Sequence, residues 1–246
     1  MRKSVSYPTD PESPSEGQRA LAAATLERSA WFGVCRPGTR EALLRHGLVR
    51  LLQKGEVLSH QGSAVDYLCL VIEGTLVVST TTRTGKRHVV RHLEPGQLMN
   101  LVPVLDEQPA IHDATAHAAT LVLLMHRTHV QEALQTEPAL AHALMRLLCL
   151  RARLTYSGLS ESTLLPLAQR CAIALLQLVE PYGLPREDGL AISLKLSQDE
   201  FADMVGCSRP MANRELKQLE TGGVIRMTYS HFVILDAARL REIAAA

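Results

Sequence analysis

The period of the apolar positions changes along the chain, and each change marks a new kind of structure. Residues 48–126 run in short β-rich stretches: LVRLLQ, EVLSH, DYLCLVIEG, TLVVSTTT, RHVVRHL, HDATAHAA and TLVLLMH. Turn signals part them at Lys54-Gly55, Gln61-Gly62-Ser63, Glu73-Gly74, Thr84-Gly85 and Pro95-Gly96. Many short strands at regular spacing predict a sandwich or barrel, here a jelly-roll-like β-roll. Such a roll encloses a pocket open to small ligands. Two helices are expected before it, around residues 18–29 and 39–46. After Arg127 the alternation stops, and HVQEALQ reads as a short helix. Pro138 then opens a long helical stretch in which Leu140, Leu144, Leu147 and Leu154 form one stripe, widened by Leu150. A helix this apolar needs a partner. It could pack on its own roll, but the preferred expectation is a coiled-coil-like seam against a twin helix. Residues 158–163 (GLSEST) read as a hinge. A helix around 164–178 and a polar loop follow.

The stretch 196–222, LSQDEFADMVGCSRPMANRELKQLETG, predicts two short helices across a tight turn. Ser197 is placed to cap the first helix, with Glu200 completing a capping box. Phe201, Met204 and Val205 recur at helical spacing, and Ala202 is small enough for a second helix to cross closely. Gly206 falls where the chain must turn with positive φ. Ser208 can cap the second helix, and Pro210 lies in its first turn, where a missing N–H costs little. Ala212, Leu216 and Leu219 form a buried stripe, leaving Arg209, Asn213, Arg214 and Lys217 on other faces. This is a helix-turn-helix whose second helix carries basic and polar side chains suited to the DNA major groove. VIRMTYSHFVILD (224–236) then reads as two strands around Tyr229-Ser230, a wing beside that helix.

Composition adds limits. The 246 residues allow two domains, and 46% apolar content with only 4% aromatic means the cores rest on Leu, Ala and Val. The net charge of +1 does not advertise nucleic-acid binding, so any DNA contact must come from clustered bases. The five scattered cysteines, with no CxxC, fit a reducing cytoplasm and buried thiols, with neither a disulfide framework nor a zinc site. Residues 1–17, rich in Pro, Ser, Asp and Glu, are expected to be a disordered tail. They show no signal peptide, and no window is long and apolar enough for a membrane span. The expected architecture is α+β. It comprises a tail (1–17), a β-roll domain with flanking helices (18–136), a dimerisation helix (137–159) and a winged helix-turn-helix (160–246).

This order resembles the Crp/Fnr superfamily of bacterial transcription regulators. The similarity rests on VIEGTLVV (71–78), PGQ (95–97), 196–220, and the GVIRM and VILD runs after it. It implies a cytoplasmic homodimer that binds a pseudo-palindromic double-stranded DNA site, answers to a small effector in the roll, and allows RNA polymerase as a further partner. No enzymatic activity and no catalytic residue is implied. Members that bind cyclic nucleotides carry a Gly-Glu pair after the PG turn and then an Arg-Ser pair. Here Asn100-Leu101 and Ala110-Ile111 stand at those places. The carboxylate for the ribose and the guanidinium for the phosphate are both missing there, so tight cyclic-AMP binding is not expected. Cys35 alone cannot hold an iron–sulfur cluster. No cofactor or metal is expected.

Along 110–118, His112, Ala114 and Ala116 share one face, and the family register turns it inward. His112 is then either a contact for an anionic effector or a haem iron, or a core histidine bonded to a carbonyl. His88 and His92 share a strand face and are expected to be solvated. The resemblance carries Ser208 and Arg209 onto the turn and the start of the recognition helix, with Arg209 facing guanine. Asn213 and Arg214 fall one turn on, and Ser197, Gln198 and Lys217 are phosphate positioners. Pro210 replaces a residue that often reads cytosine. Glu215 stands where an apolar residue is usual, so that helix edge is expected to be exposed. Two rivals remain: a constitutive DNA-binding dimer with a ligandless roll, and a haem-based gas sensor. A cupin-like metal enzyme is disfavoured because no His-x-His occurs.

Overall fold

The computed structural model describes residues 14–82, 85, 87–228 and 231–246, without the side chains of 157 and 159–163. It divides into two compact units, Met1–Arg151 and Ala152–Ala246. Residues 1–13 of the expected tail lie outside the described residues, as does the Tyr229-Ser230 turn.

The first unit opens with α1 (Glu16–Arg28) and α2 (Pro37–His46). A reciprocal capping box between Ser15 and Gln18 starts α1 two residues inside the expected tail. The strands follow as β1 (Leu48–Leu52), β2 (Val57–Ser59), β3 (Tyr67–Glu73), β4 (Leu76–Thr81), β5 (Arg87–Leu93) and β6 (Leu98–Met99). A short α3 (Leu101–Asp106), β7 (Asp113–Ala116), β8 (Thr120–His126) and α4 (Arg127–Thr136) complete the run, and α5 (Pro138–Leu164) carries the boundary between the units after Arg151. Two four-stranded antiparallel sheets form the roll, ordered β1-β8-β3-β6 and β2-β7-β4-β5.

Strand β3 shows how the sequence builds two cores from one sheet. Alternate residues point to opposite faces. Tyr67, Cys69 and Val71 enter the roll core with Leu76, Val78, Ala114 and Ala116. Leu68, Leu70 and Ile72 face a second core that holds side chains of α1, α2, α4 and α5. Both faces are therefore covered, which explains the unbroken apolar run. Tyr67 donates its buried hydroxyl to the Leu58 carbonyl at 2.7 Å, so its polar tip is satisfied inside the roll. Gly74 has φ +82°, and a Cβ there would lie 2.5 Å from the Ala119 carbonyl oxygen, so the Glu73-Gly74 turn requires glycine.

The leucine stripe of α5 corrects the expected seam. Leu140, Leu144 and Leu147 are buried in the helix-side core of their own unit. Leu150 and Leu154 are instead 49% and 53% exposed, with Met145 at 55%. Helical period identifies a buried face but not its partner, and here the roll is the partner. The helix also continues through residues 158–163, where a hinge was expected, and ends at Leu164, before Pro166.

Arg36 supplies no side-chain cap to α2. The task falls to Glu137, whose carboxylate accepts from the Arg36 backbone N–H at 3.2 Å, Arg36 Nε at 2.9 Å and Thr39 Oγ1 at 2.6 Å. The Thr39 hydroxyl, then the Arg36 side chain, hold this carboxyl below its ordinary range. A depressed folded-state value stabilises above the unfolded-state value, and that contribution disappears as pH falls through the folded one. Glu137→Gln is therefore expected to flatten the acid limb of a melting-temperature profile taken from about pH 6 down to about pH 2.5. An unchanged limb would show that this carboxylate does not anchor α2.

The second unit contains α6 (Leu167–Tyr182), β9 (Gly183–Arg186), β10 (Gly189–Ile192), α7 (Gln198–Val205) and α8 (Arg209–Thr221). Strands β11 (Ile225–Thr228) and β12 (His231–Ile234) and helix α9 (Ala237–Ala245) follow. The expected polar loop after α6 is instead the β9–β10 hairpin, which extends the wing into a sheet ordered β11-β12-β10-β9. One core ties α6, α7, α8, the wing and α9 together around Phe201, Leu216 and Leu175.

Candidate nucleic-acid interface and effector pocket

The helix pair forms as its residues dictate. Ser197 accepts from the Glu200 N–H at 3.2 Å, and Glu200 accepts from the Ser197 N–H at 2.8 Å. Gly206 closes α7 at φ +68°. Ser208 occupies the cap of α8 but makes no side-chain cap bond. Pro210, two residues on, has no N–H to offer it. Ala212, Leu216 and Leu219 are buried in the domain core.

That burial fixes which face α8 presents. Ser208, Arg209, Arg214 and Lys217 are exposed, as is Ser197 on α7, while Gln198 and Asn213 are half-buried. The Asn213 Oδ1 atom is buried with no hydrogen-bond partner. Arg209 Nη1 meets Asp199 Oδ2 of α7 at 3.1 Å, both side chains well exposed. A cleft of about 580 Å³ runs between this pair and the wing, lined by Ser197, Asp199, Arg209, Met227 and Thr228 among others. Glu215 corrects an expectation: it is buried, 8% exposed, and takes the Arg214 guanidinium at 3.0 and 3.2 Å. Its aliphatic stem fills the place of the usual apolar residue, and the neighbouring arginine answers the charge.

The five pocket residues expected in the roll lie in different surroundings. Ala110 lies in the roll core. Leu101 packs in the helix-side core. Ile111 is 49% exposed. Asn100, in the left-handed region at φ +64°, is buried, and neither of its amide atoms has a partner. His112 is half-buried at the entry to β7, where Ala114 and Ala116 do face inward as expected. His88 and His92 do not share a regular face, because the pairing of β4 with β5 slips at Val90. His88 is exposed, but His92 is half-buried with its ring edge-on to His117, centroids 5.7 Å apart. Among the described residues no group of three or more His, Cys, Asp or Glu is placed to hold a metal. Cys35, Cys69 and Cys171 are buried, but Cys149 is exposed, against expectation.

Two roll residues carry chemistry that the sequence reading passed over. Arg91 pairs with Val78 across β5 and β4, and Val78 belongs to the roll core. Cross-strand partners share a face, so Arg91 points inward. Arg151 ends the buried stripe of α5 and donates to the Leu98 carbonyl of β6. Burial, with the Arg91 charge adding, pushes Arg151 down to about 10. Burial and the Arg91 charge likewise lower His112. The signal for Arg91 was present: it stands two residues before the inward-facing Leu93 on the same side of the slip at Val90.

A β-roll followed by a winged helix-turn-helix defines a DNA-binding transcription regulator. Residues 49–137 match the cyclic nucleotide-binding domain, and residues 169–243 match the Crp-like helix-turn-helix domain. The chain belongs to the Crp/Fnr superfamily. It is 29% identical over 195 residues to the cyclic AMP receptor protein of Thermus thermophilus, covering 79% of this chain and 87% of that protein. It is 25% identical over 219 residues to the CRP-like cAMP-activated global transcriptional regulator of Mycobacterium tuberculosis, covering 89% and 98%. The fold is also that of FixK2 from Bradyrhizobium japonicum, with TM-score 0.73 at 20% identity over 81% of this chain and 98% of that one. The c-di-GMP responsive regulator CLP of Xanthomonas campestris gives TM-score 0.72 at 22% identity, over 81% and 99%. No described helix is long and apolar enough to cross a membrane.

Proposed function

We propose that this regulator acts in the cytoplasm as a homodimer on a pseudo-palindromic operator, and that a small effector in the roll, other than cyclic AMP, modulates it. The observation that carries the reading is the polarity of α8. Its apolar stripe is consumed by the domain core, and Arg209, Asn213, Arg214 and Lys217 remain on its other faces. In that geometry Arg209, Asn213 and Arg214 read bases, while Ser197, Gln198, Ser208 and Lys217 position the backbone. Several relatives are named for cyclic AMP. Leu101 and the exposed Ile111 offer a nucleotide neither a carboxylate nor a guanidinium, which supports a different effector.

The dimer reading moves to the exposed side of α5 that carries Leu150 and Leu154, four residues and one helical turn apart. Such a face in water favours a twin helix. Leu150→Glu is expected to shift the protein from dimer to monomer in sedimentation at micromolar concentration and to weaken operator binding more than tenfold. The companion experiment selects random duplex DNA with the wild-type protein. Two inverted half-sites about 34 Å apart are expected. A selected site without two-fold symmetry would overturn the reading.

A further inference from the structure

One row across the inner face of the second sheet brings unusual chemistry together. Ser59 of β2 pairs with Ala114 of β7, Ala114 with Val78 of β4, and Val78 with Arg91 of β5. Ala114 and Val78 belong to the roll core, so the whole row faces inward. The Ser59 side chain is fully buried, and its hydroxyl has no partner. Arg91 has no hydrogen bond or ion pair among the described residues, and burial alone lowers its pKa. Beside this row, Arg151 reaches the Leu98 carbonyl, two residues from Asn100, whose buried amide has no partner at either atom.

A half-buried guanidinium with no carboxylate partner is costly, and so are a buried hydroxyl and amide left unbonded. The apolar core around them cannot supply the missing bonds. An anion can, because a carboxylate or phosphate offers the planar oxygen pair that a guanidinium forks.

We propose that the roll binds a small organic anion whose carboxylate or phosphate oxygens engage Arg91 and Arg151. This deepens, and rests on, the reading of the roll as an effector site. The site is not built from positions 101 and 111, which hold leucine and isoleucine. Its charge comes from a strand and a helix on either side of the roll interior.

The test uses the full chain and four probes: succinate, 3-phosphoglycerate, inorganic phosphate and cyclic AMP, with dimethyl succinate as the uncharged control. Calorimetry and melting temperature are read at fixed ionic strength. At least one of succinate, 3-phosphoglycerate and inorganic phosphate is expected to bind saturably and raise the melting temperature, with no response to cyclic AMP or dimethyl succinate. Succinate against 3-phosphoglycerate separates a carboxylate site from a phosphate site. Arg91→Gln is expected to weaken that binding about tenfold or more, with Arg91→Lys intermediate. Without any probe, Arg91→Met is expected to melt at or above the wild-type temperature, because it removes an unanswered half-buried charge. A structural arginine would do the opposite. Binding that survives Arg91→Gln, or no binding by succinate, 3-phosphoglycerate or inorganic phosphate, would overturn the proposal. If an anion binds the roll but operator affinity does not change, the anion site stands and the effector reading falls. If only the uncharged control binds, the effector reading survives and the anion site falls.

Discussion

Arg209→Ala is expected to weaken binding to the selected operator by about 1–3 kcal/mol per half-site, roughly 5- to 150-fold. A dimer carries the change twice. Arg209 opens the first turn of α8, fully outside the core and at the end of the helix that enters a major groove first. In the free protein it rests on Asp199, but both side chains are well exposed, 59% and 63%. Such a pair is worth only about 0.2–1 kcal/mol. In the proposed complex the two acceptor atoms of a guanine are expected to outcompete it, so the ion pair would hold the side chain without disabling it. Asp199→Asn is then expected to act weakly and in the opposite direction, strengthening binding severalfold at most. The two variants also separate by salt and sequence. Arg209→Ala should relax base preference, whereas loss of a phosphate contact such as Lys217 weakens all duplexes alike and lowers the salt slope by about 1. Anisotropy titrations of specific and scrambled duplexes, at matched salt, measure both. Unchanged specific affinity for Arg209→Ala would mean that α8 is not the reading helix.

Local rules made the second unit legible. A capping box and a glycine at positive φ are short-range devices, and Ser197, Glu200 and Gly206 form them as their residue types require. The same logic failed one turn on, where Ser208 makes no side-chain cap bond and Pro210 has removed a donor. Where an element depends on distant partners, the sequence shows less. Strand β6 is two residues long, too short for any period, and exists because Cys69 and Leu70 of β3 pair with it. The β9–β10 hairpin looks polar in isolation. Its turn residue Gly189, at φ +143°, would put a Cβ 2.1 Å from the Ile234 carbonyl oxygen, so a strand some 45 residues later dictates the glycine. Helix α9 has a clear Asp236 cap, but its short apolar run gave no strong period.

The roll was harder to read than its strands. Strand alternation told which residues face inward, and Ala114 and Ala116 obey it. It could not tell that the β4–β5 pairing slips at Val90, which separates His88 from His92. The family register, which turns the His112 face inward, leaves Ile111 on the other face, and Ile111 is 49% exposed. Arg91 was legible in principle as a charge in an apolar slot, and Arg151 as the end of an apolar stripe. Arg91 breaks the rule that charges stay out of cores, and a local rule broken without compensation inside the chain points to a partner outside it.

Phe201→Ala is expected to destabilise the C-terminal unit by about 3–5 kcal/mol. The side chain is fully buried in the core that joins α6, α7, α8 and the wing, and its ring lies 5.4 Å from that of Phe232 at a 43° tilt. Truncation deletes the largest side chain at the helix crossing, and Ala202 beside it is too small to fill the gap. A domain of this size holds only about 5–15 kcal/mol in total, so the loss is a fifth or more of its stability. The residue carries no polar atom and cannot touch a base, so its effect on DNA must pass through folding. Phe201→Leu keeps most of the volume and should cost far less, with operator affinity near wild type at low temperature. Calorimetry should show the transition of the second unit lowered in Phe201→Ala while that of the first unit, whose cores contain neither Phe201 nor Phe232, stays in place. DNA affinity should fall in step with the unfolded fraction as temperature rises. An Ala variant that melts like wild type would mean the α7–α8 crossing is not held by this ring pair. A fall in affinity at temperatures where the variant is fully folded would place Phe201 in the reading of DNA, against its complete burial.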